Sequence, residues 1–186
     1  MGSPGSGKTT LLEARARYWQ GRRKVAVIEG DVAGSIDAER MATLGLPVVQ
    51  INTDGACHLD ANMIAQALEE LPLETGELLM VENVGNLVCT AGFDLGEHLR
   101  IVILSVPEGD DKLVKYPAIF RSIHALVIAK MDLLPQVAFQ RERVQKDLTR
   151  LNAQAALFCV SALRGEGIAE LAQWIEAHQL GETPNR

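Results

Sequence analysis

The residues Gly2 to Thr9 (GSPGSGKT) place glycines, a lysine and a hydroxyl at the spacing of a loop that cradles phosphate. The glycines let successive backbone N–H groups turn inward toward phosphate oxygens, and a following helix would present its positive end to the same anion. Lys8 would neutralise the β- and γ-phosphates, with a role in catalysis, and the Thr9 hydroxyl would ligate Mg²⁺. Gly2, Gly5, Ser6, Gly7, Lys8, Thr9 and Thr10 are the candidate phosphate contacts. The alternative is an ordinary Gly/Ser-rich turn before a helix.

Such a site needs carboxylates at the edge of a sheet. Glu82 closes the apolar run LLMVE and occupies the station that holds a magnesium shell. Asp31 follows KVAVIE at another C-terminal strand edge, where ligands of open α/β sheets collect, and it can serve magnesium water or the attacking water. Asp37 lies in the next loop as a further magnesium candidate, or as the N-cap of the helix DAERMATL.

After the run HALVIA comes AKMD, Ala129 to Asp132, where guanine-reading proteins carry Asn-Lys-x-Asp. A carboxylate at Asp132 accepts from guanine N1–H and the exocyclic amino group, whereas adenine would leave buried polar groups unpaired at about 1 to 3 kcal/mol each. Lys130 is placed to lay its stem over the base, and Ser161 and Ala162, in SALRGEG, to close over it. Ala129 departs from the pattern and weakens this end of the site.

Cys57 and His58 adjoin the helical pattern LDANMIAQALEEL, and Cys89 stands seven residues after Glu82 in GNLVC, the loop expected to respond to the γ-phosphate. Two thiolates and an imidazole suit Zn²⁺ or Ni²⁺ and leave a coordination position open. A helix N-terminus is expected to lower the Cys57 thiol pKa. A Cys-His pair also occurs by accident of packing, so both readings stand. Cys159 falls within an apolar strand pattern, and His98 and His124 have no evident partner; all three read as structural.

The elements that must position these residues form an alternating series. Short β-rich runs at 24–29, 47–51, 77–82, 100–105, 124–129 and 155–160 alternate with helical patterns at 9–19, 60–71, 137–151 and 168–178. This predicts an α/β fold, a mostly parallel sheet with helices on both faces, in one domain over 1–186. The loop at Gly2 would normally follow a buried strand, so the first strand is missing: either the sequence starts late, or another segment takes its place. With 186 residues, 47% hydrophobic and 23% charged, the composition is that of a globular domain. A net charge of -6 argues against nucleic acid, and no apolar run reaches the roughly 18 residues of a membrane span, so a cytoplasmic protein is expected.

Taken together, GSPGSGKT, EGDVAGSIDAER, GACHLDA, ENVGNLVC, EGDDKLVKYP, AKMDLLP and SALRGEG resemble the HypB family, the nickel-insertion GTPases of hydrogenase maturation. The resemblance covers nearly the whole chain and departs from the family at the absent first strand, at Ala129, and at Thr90, where proline is common. It implies a P-loop GTPase with slow turnover that binds GTP and Mg²⁺. It also implies GTP-dependent homodimerisation, with Cys57, His58 and Cys89 forming an interfacial Ni²⁺ or Zn²⁺ site. The metal would pass to a hydrogenase large-subunit precursor with the help of a nickel-chaperone partner. Two other readings are an ATP-dependent kinase on the same fold and a metal-binding interaction module with a degenerate nucleotide site.

Overall fold

A computed structural model describes residues 1–31, 36–71 and 78–179; the side chains of 36–38 and 179 fall outside that description. The chain forms two compact units, Met1–Gly96 and Glu97–Arg186.

In the first unit, helix α1 (Lys8–Trp19) follows the glycine-rich loop, then come strand β1 (Val25–Asp31), helix α2 (Ile36–Ala42), strand β2 (Val48–Asn52), helix α3 (Ala61–Glu70) and strand β3 (Leu78–Glu82). The strands order β2-β1-β3 and pair in parallel. Strand β1 is central and buried along nearly its whole length, which is why KVAVIE reads as a continuous apolar run and not an alternating one. Its two faces do different work. Ala26 and Ile28 pack with Leu59, Ile64, Ala67 and Leu71 into a core closed by α3. Val27 and Glu29 face the other way and lie beside Met80 and Glu82 of β3.

Helix α3 begins where its sequence says it should. The Asp60 carboxylate accepts from the N–H groups of Asn62 and Met63, a side-chain cap at 2.8 and 3.0 Å. Gly2 makes an isolated antiparallel bridge to Asn86.

The second unit runs β4 (Ile101–Ser105), α4 (Lys112–Lys115), α5 (Pro117–Arg121), β5 (Ala125–Ala129), α6 (Arg141–Leu151), β6 (Ala156–Cys159) and α7 (Ile168–Gln179). Its three parallel strands order β4-β5-β6. The helical pattern expected from residue 137 starts at Arg141 instead. Pro135 lies inside a 3-10 turn, Met131–Gln136, and Asp110 accepts from the Gln140 N–H and the Arg143 guanidinium, fixing the start of α6 from outside the helix. His124 accepts from the Arg100 N–H at 2.9 Å, a structural role, and Cys159 sits half-buried in β6.

No helix is long and apolar enough to cross a membrane among the described residues.

Candidate nucleotide and metal sites

The loop at residues 2–9 takes its shape from backbone that only glycine adopts readily. Gly5 and Gly7 have φ of 73° and 93°, and Gly7 is the left-handed residue that starts α1. Ser6 is fully buried, and its hydroxyl has no hydrogen-bond partner among the described residues, so it faces inward in the loop. Thr10, by contrast, is exposed. Lys8 Nζ donates to the Ser3 carbonyl at 3.3 Å and stands 3.8 Å from Glu82 Oε1. Thr9 Oγ1 donates to the same carboxylate oxygen at 3.1 Å. The lysine, the threonine and the strand-ending glutamate therefore meet at one point.

A further carboxylate that the sequence reading passed over belongs with them. Glu29 is paired directly with Glu82 across β1 and β3, on the same face of the sheet, and the two side chains are only 3% and 6% exposed. Asp31, two residues further along β1, points to that face as well. The missed signal was a charged residue inside an otherwise unbroken apolar strand, a placement costly unless the group is paired or near a cation. Asp37 lies on α2, with its side chain outside the described residues.

Two of the cysteines gather in the same unit. Cys57 Sγ lies 3.7 Å from His58 Nδ1, and the Cys89 side chain hydrogen-bonds to Cys57. Thiolate and imidazole ligands at about 2.3 and 2.0 Å on one tetrahedral ion would stand about 3.5 Å apart, so the Cys57–His58 spacing suits a shared metal. The His58 ring is stacked on Phe93, with centroids 3.6 Å apart and planes 20° from parallel. Among the described residues, however, no group of three or more His, Cys, Asp or Glu is arranged to hold an ion. The expected triad is thus brought together in pairs and not closed around one point.

The thiol acidity expected at Cys57 is corrected. Helix α3 begins at Ala61 and is capped by the Asp60 carboxylate, so Cys57 does not stand at the helix terminus. Its thiol is pushed above the ordinary value, first by its hydrogen bond with Cys89 and then by burial.

Two asparagines bind this cluster to the rest of the unit. Asn83, next to Glu82 and 2% exposed, accepts from the N–H of Leu59 at 3.1 Å and of Val84 at 2.9 Å. Leu59 follows His58, and its side chain occupies the space above Gly30, where a Cβ would meet it at 2.7 Å. Asn86 donates its backbone N–H to the Gly2 carbonyl at 3.1 Å, while its side-chain oxygen accepts from the N–H groups of Val88 at 2.6 Å and Cys89 at 3.0 Å. Thr90 donates its hydroxyl to the Asn86 carbonyl at 2.9 Å and closes the 3-10 turn Cys89–Gly92.

In the second unit, Lys130 has φ of 59°, an unusual left-handed value for a residue with a side chain. That conformation turns the chain after β5 so that Asp132 reaches Ser161, whose hydroxyl donates to its carboxylate at 2.6 Å. This hydrogen bond, more than any other influence, holds the Asp132 carboxyl below the usual carboxylate range. Ser161 also exchanges backbone hydrogen bonds with Glu166 at 3.0 and 3.1 Å, and its hydroxyl accepts from the Arg164 N–H. Gly167 is required beneath this turn, since a Cβ there would stand 2.3 Å from the Cys159 carbonyl. Ala162 is half-buried and Leu163, at 85% exposure, stands clear of the protein. Ala129 is buried at the end of β5.

A family model described as the nucleotide-binding domain of CobW/HypB/UreG matches residues 1–159. The chain is 48% identical over 176 residues to the hydrogenase maturation factor HypB of Azotobacter vinelandii, covering 95% of this chain and 58% of that protein. It is 43% identical over 179 residues to HypB of Escherichia coli K12, covering 96% and 62%. The chain thus spans about three-fifths of these relatives. Among solved structures, HypB from Helicobacter pylori in complex with nickel superposes with a TM-score of 0.92 at 38% identity, covering 100% of this chain and 88% of that one. HypB from Archaeoglobus fulgidus gives 0.86 at 37%, covering 95% and 86%.

Proposed function

This chain belongs to the CobW/HypB/UreG nucleotide-binding family, and from that membership we propose that it is a P-loop GTPase that carries nickel in hydrogenase maturation. The observation that carries the reading is the course of the segment 82–89. It starts at a carboxylate touching Thr9 and Lys8 and ends at a thiol touching Cys57.

In this mechanism the loop at 2–9, with its backbone N–H groups and Lys8, takes the phosphates of GTP, and Asp132 is the residue to read guanine. Mg²⁺ would be held by Thr9 and Glu82, with Asp31 and Asp37 as the further acids of its shell; the oxygen donors suit this hard cation. Bound there, the ion would supply charge neutralisation at the transferred phosphate. Asp31 is the residue to orient the attacking water, and Lys8 with Glu82 sets the charge around it. Nickel, or zinc, is cargo held by Cys57, His58 and Cys89. Because one copy brings these donors together only in pairs, a nucleotide-dependent homodimer would complete the set. A nickel chaperone and a hydrogenase precursor are the partners this reading requires. It treats the 186 residues as one functional domain working in the cytoplasm, where thiols stay reduced.

Nickel titrations of the protein bound to a non-hydrolysable GTP analogue test the coupling. Replacing Cys57, His58 and Cys89 together by alanine should abolish the nickel bound at this site. If nickel binding by the nucleotide-bound protein survives that replacement, the proposal fails.

A further inference from the structure

We propose that Asn86 is a positioning residue that transmits the state of the phosphate loop to Cys89; the proposal deepens the nickel-GTPase reading and rests on it for its biological purpose.

The segment between Glu82 and Cys89 has several contacts, and Asn86 holds both ends at once. Its backbone N–H is committed to the carbonyl of Gly2, the first residue of the phosphate loop, and forms the isolated bridge there. Its side-chain oxygen is committed to the N–H groups of Val88 and Cys89, which open the 3-10 turn carrying the thiol. Its carbonyl takes the Thr90 hydroxyl from the same turn. A movement of Gly2 therefore carries the peptide of Asn86 with it, and the side chain passes that displacement to the Cys89 backbone through two hydrogen bonds. Gly85, one residue earlier, is packed so closely on Pro4 that a Cβ would lie 3.0 to 3.1 Å from three of its atoms. The segment is thus pressed against the loop on one side and hydrogen-bonded to it on the other. This is a contiguous chain of contacts between two sites, the physical form that coupling requires.

The division of labour inside one residue makes the idea separable. The bond to Gly2 uses backbone and survives any side-chain replacement except proline. The bonds to the cysteine turn use only an acceptor oxygen, so aspartate can replace asparagine there and alanine cannot.

The experiment follows the alkylation rate of each cysteine by peptide mapping in the full chain, without nucleotide and with Mg²⁺ and a non-hydrolysable GTP analogue. Free N-acetylcysteine added to each reaction is the reference, because Cys159 lies beneath the turn proposed to close over the base. In the wild type the nucleotide should change the Cys89 rate relative to that reference by about 5-fold or more, the lower end of typical coupling between sites. Asn86→Ala should reduce that change to within about 2-fold while Asn86→Asp retains it. Should the alanine variant not fold, Asn86→Leu replaces it, since it keeps the shape of the side chain and has no acceptor oxygen. A wild-type response preserved in the alanine or leucine variant overturns the proposal, as does a wild-type Cys89 rate indifferent to nucleotide or a response lost in the aspartate variant. Nickel affinity measured in parallel separates the two readings: if it ignores nucleotide while the thiol follows it through Asn86, the nickel-carrier function fails and the tether stands.

Discussion

The hydroxyl of Thr9 donates to Glu82 Oε1 at 3.1 Å, across 73 positions of sequence, so the start of α1 and the end of β3 share one polar contact inside a sheet edge. Lys8 approaches the same oxygen at 3.8 Å. The carboxylate is the one proposed to hold the magnesium ion of the bound nucleotide.

Removing that charge should affect chemistry more than binding. Glu82→Gln is expected to lower single-turnover GTP hydrolysis by about 100-fold or more, a magnitude typical of losing a group that acts on transition-state charge. The Kd for GTP should change much less. Rapid-quench kinetics with saturating protein would check this, and hydrolysis within a few-fold of wild type would remove Glu82 from the mechanism.

The Asp132–Ser161 hydrogen bond leads to a pH prediction. A carboxyl held below its unfolded value contributes stability that is present above the unfolded value, 3.8, and is lost as pH falls through the folded one. Ser161→Ala removes the first cause of the depression, so the Asp132 carboxyl should titrate at higher pH than in the wild type. Carbon-detected NMR of that carboxyl reads the shift directly, and an unchanged midpoint would refute the assignment. Asp132→Asn should separately reduce the preference for GTP over ATP by about 5- to 150-fold, equivalent to one unpaired polar group at about 1 to 3 kcal/mol.

Phe93 is 38% exposed yet stacked on His58, so its value lies in orienting the imidazole more than in burial. Phe93→Ala should leave the melting temperature nearly unchanged while broadening the His58 ring resonances and weakening nickel binding several-fold. A sharply ordered His58 in the variant would mean that the stack has no positioning role.

Gly30 and Leu59 form a size-matched pair. Gly30→Ala places a methyl within 2.8 Å of the Leu59 side chain and should cost about 1 to 3 kcal/mol by overpacking. Leu59→Ala should cost about 2 to 5 kcal/mol by leaving a cavity. In the double variant the new methyl occupies part of the vacated space, so the loss should be smaller than the sum. Denaturant titrations of all four proteins close the cycle, and strict additivity would mean that the two positions are not coupled.

Much of this was written locally in the sequence. The strands of both units appear as apolar runs, the glycines of the phosphate loop occupy the positions where φ is positive, and Asp60 announces the start of α3. What the sequence withheld were relationships between distant backbone groups. Glu29 looked like the polar end of a strand because its partner, Glu82, lies 53 positions away. Asn83 and Asn86 looked like loop residues because their partners are N–H groups, which every residue carries and no pattern distinguishes. The Cys57 thiol was misjudged for a related reason. Adjacency to a helical pattern suggested a dipole, whereas the cap belonged to Asp60 and the neighbour that matters was Cys89.

The segment from Glu82 to Cys89 also behaves as a ruler. Glu82 must stand at Thr9, Asn86 at Gly2 and Cys89 at Cys57, three fixed marks along seven steps of chain. Side chains between the marks, such as the exposed Val88, can change without moving them. One inserted or deleted residue would move at least one mark off its partner while leaving every residue type in place. A protein altered that way would keep the ingredients of both sites and lose the distance that relates them, so length, more than composition, is what this loop has to preserve.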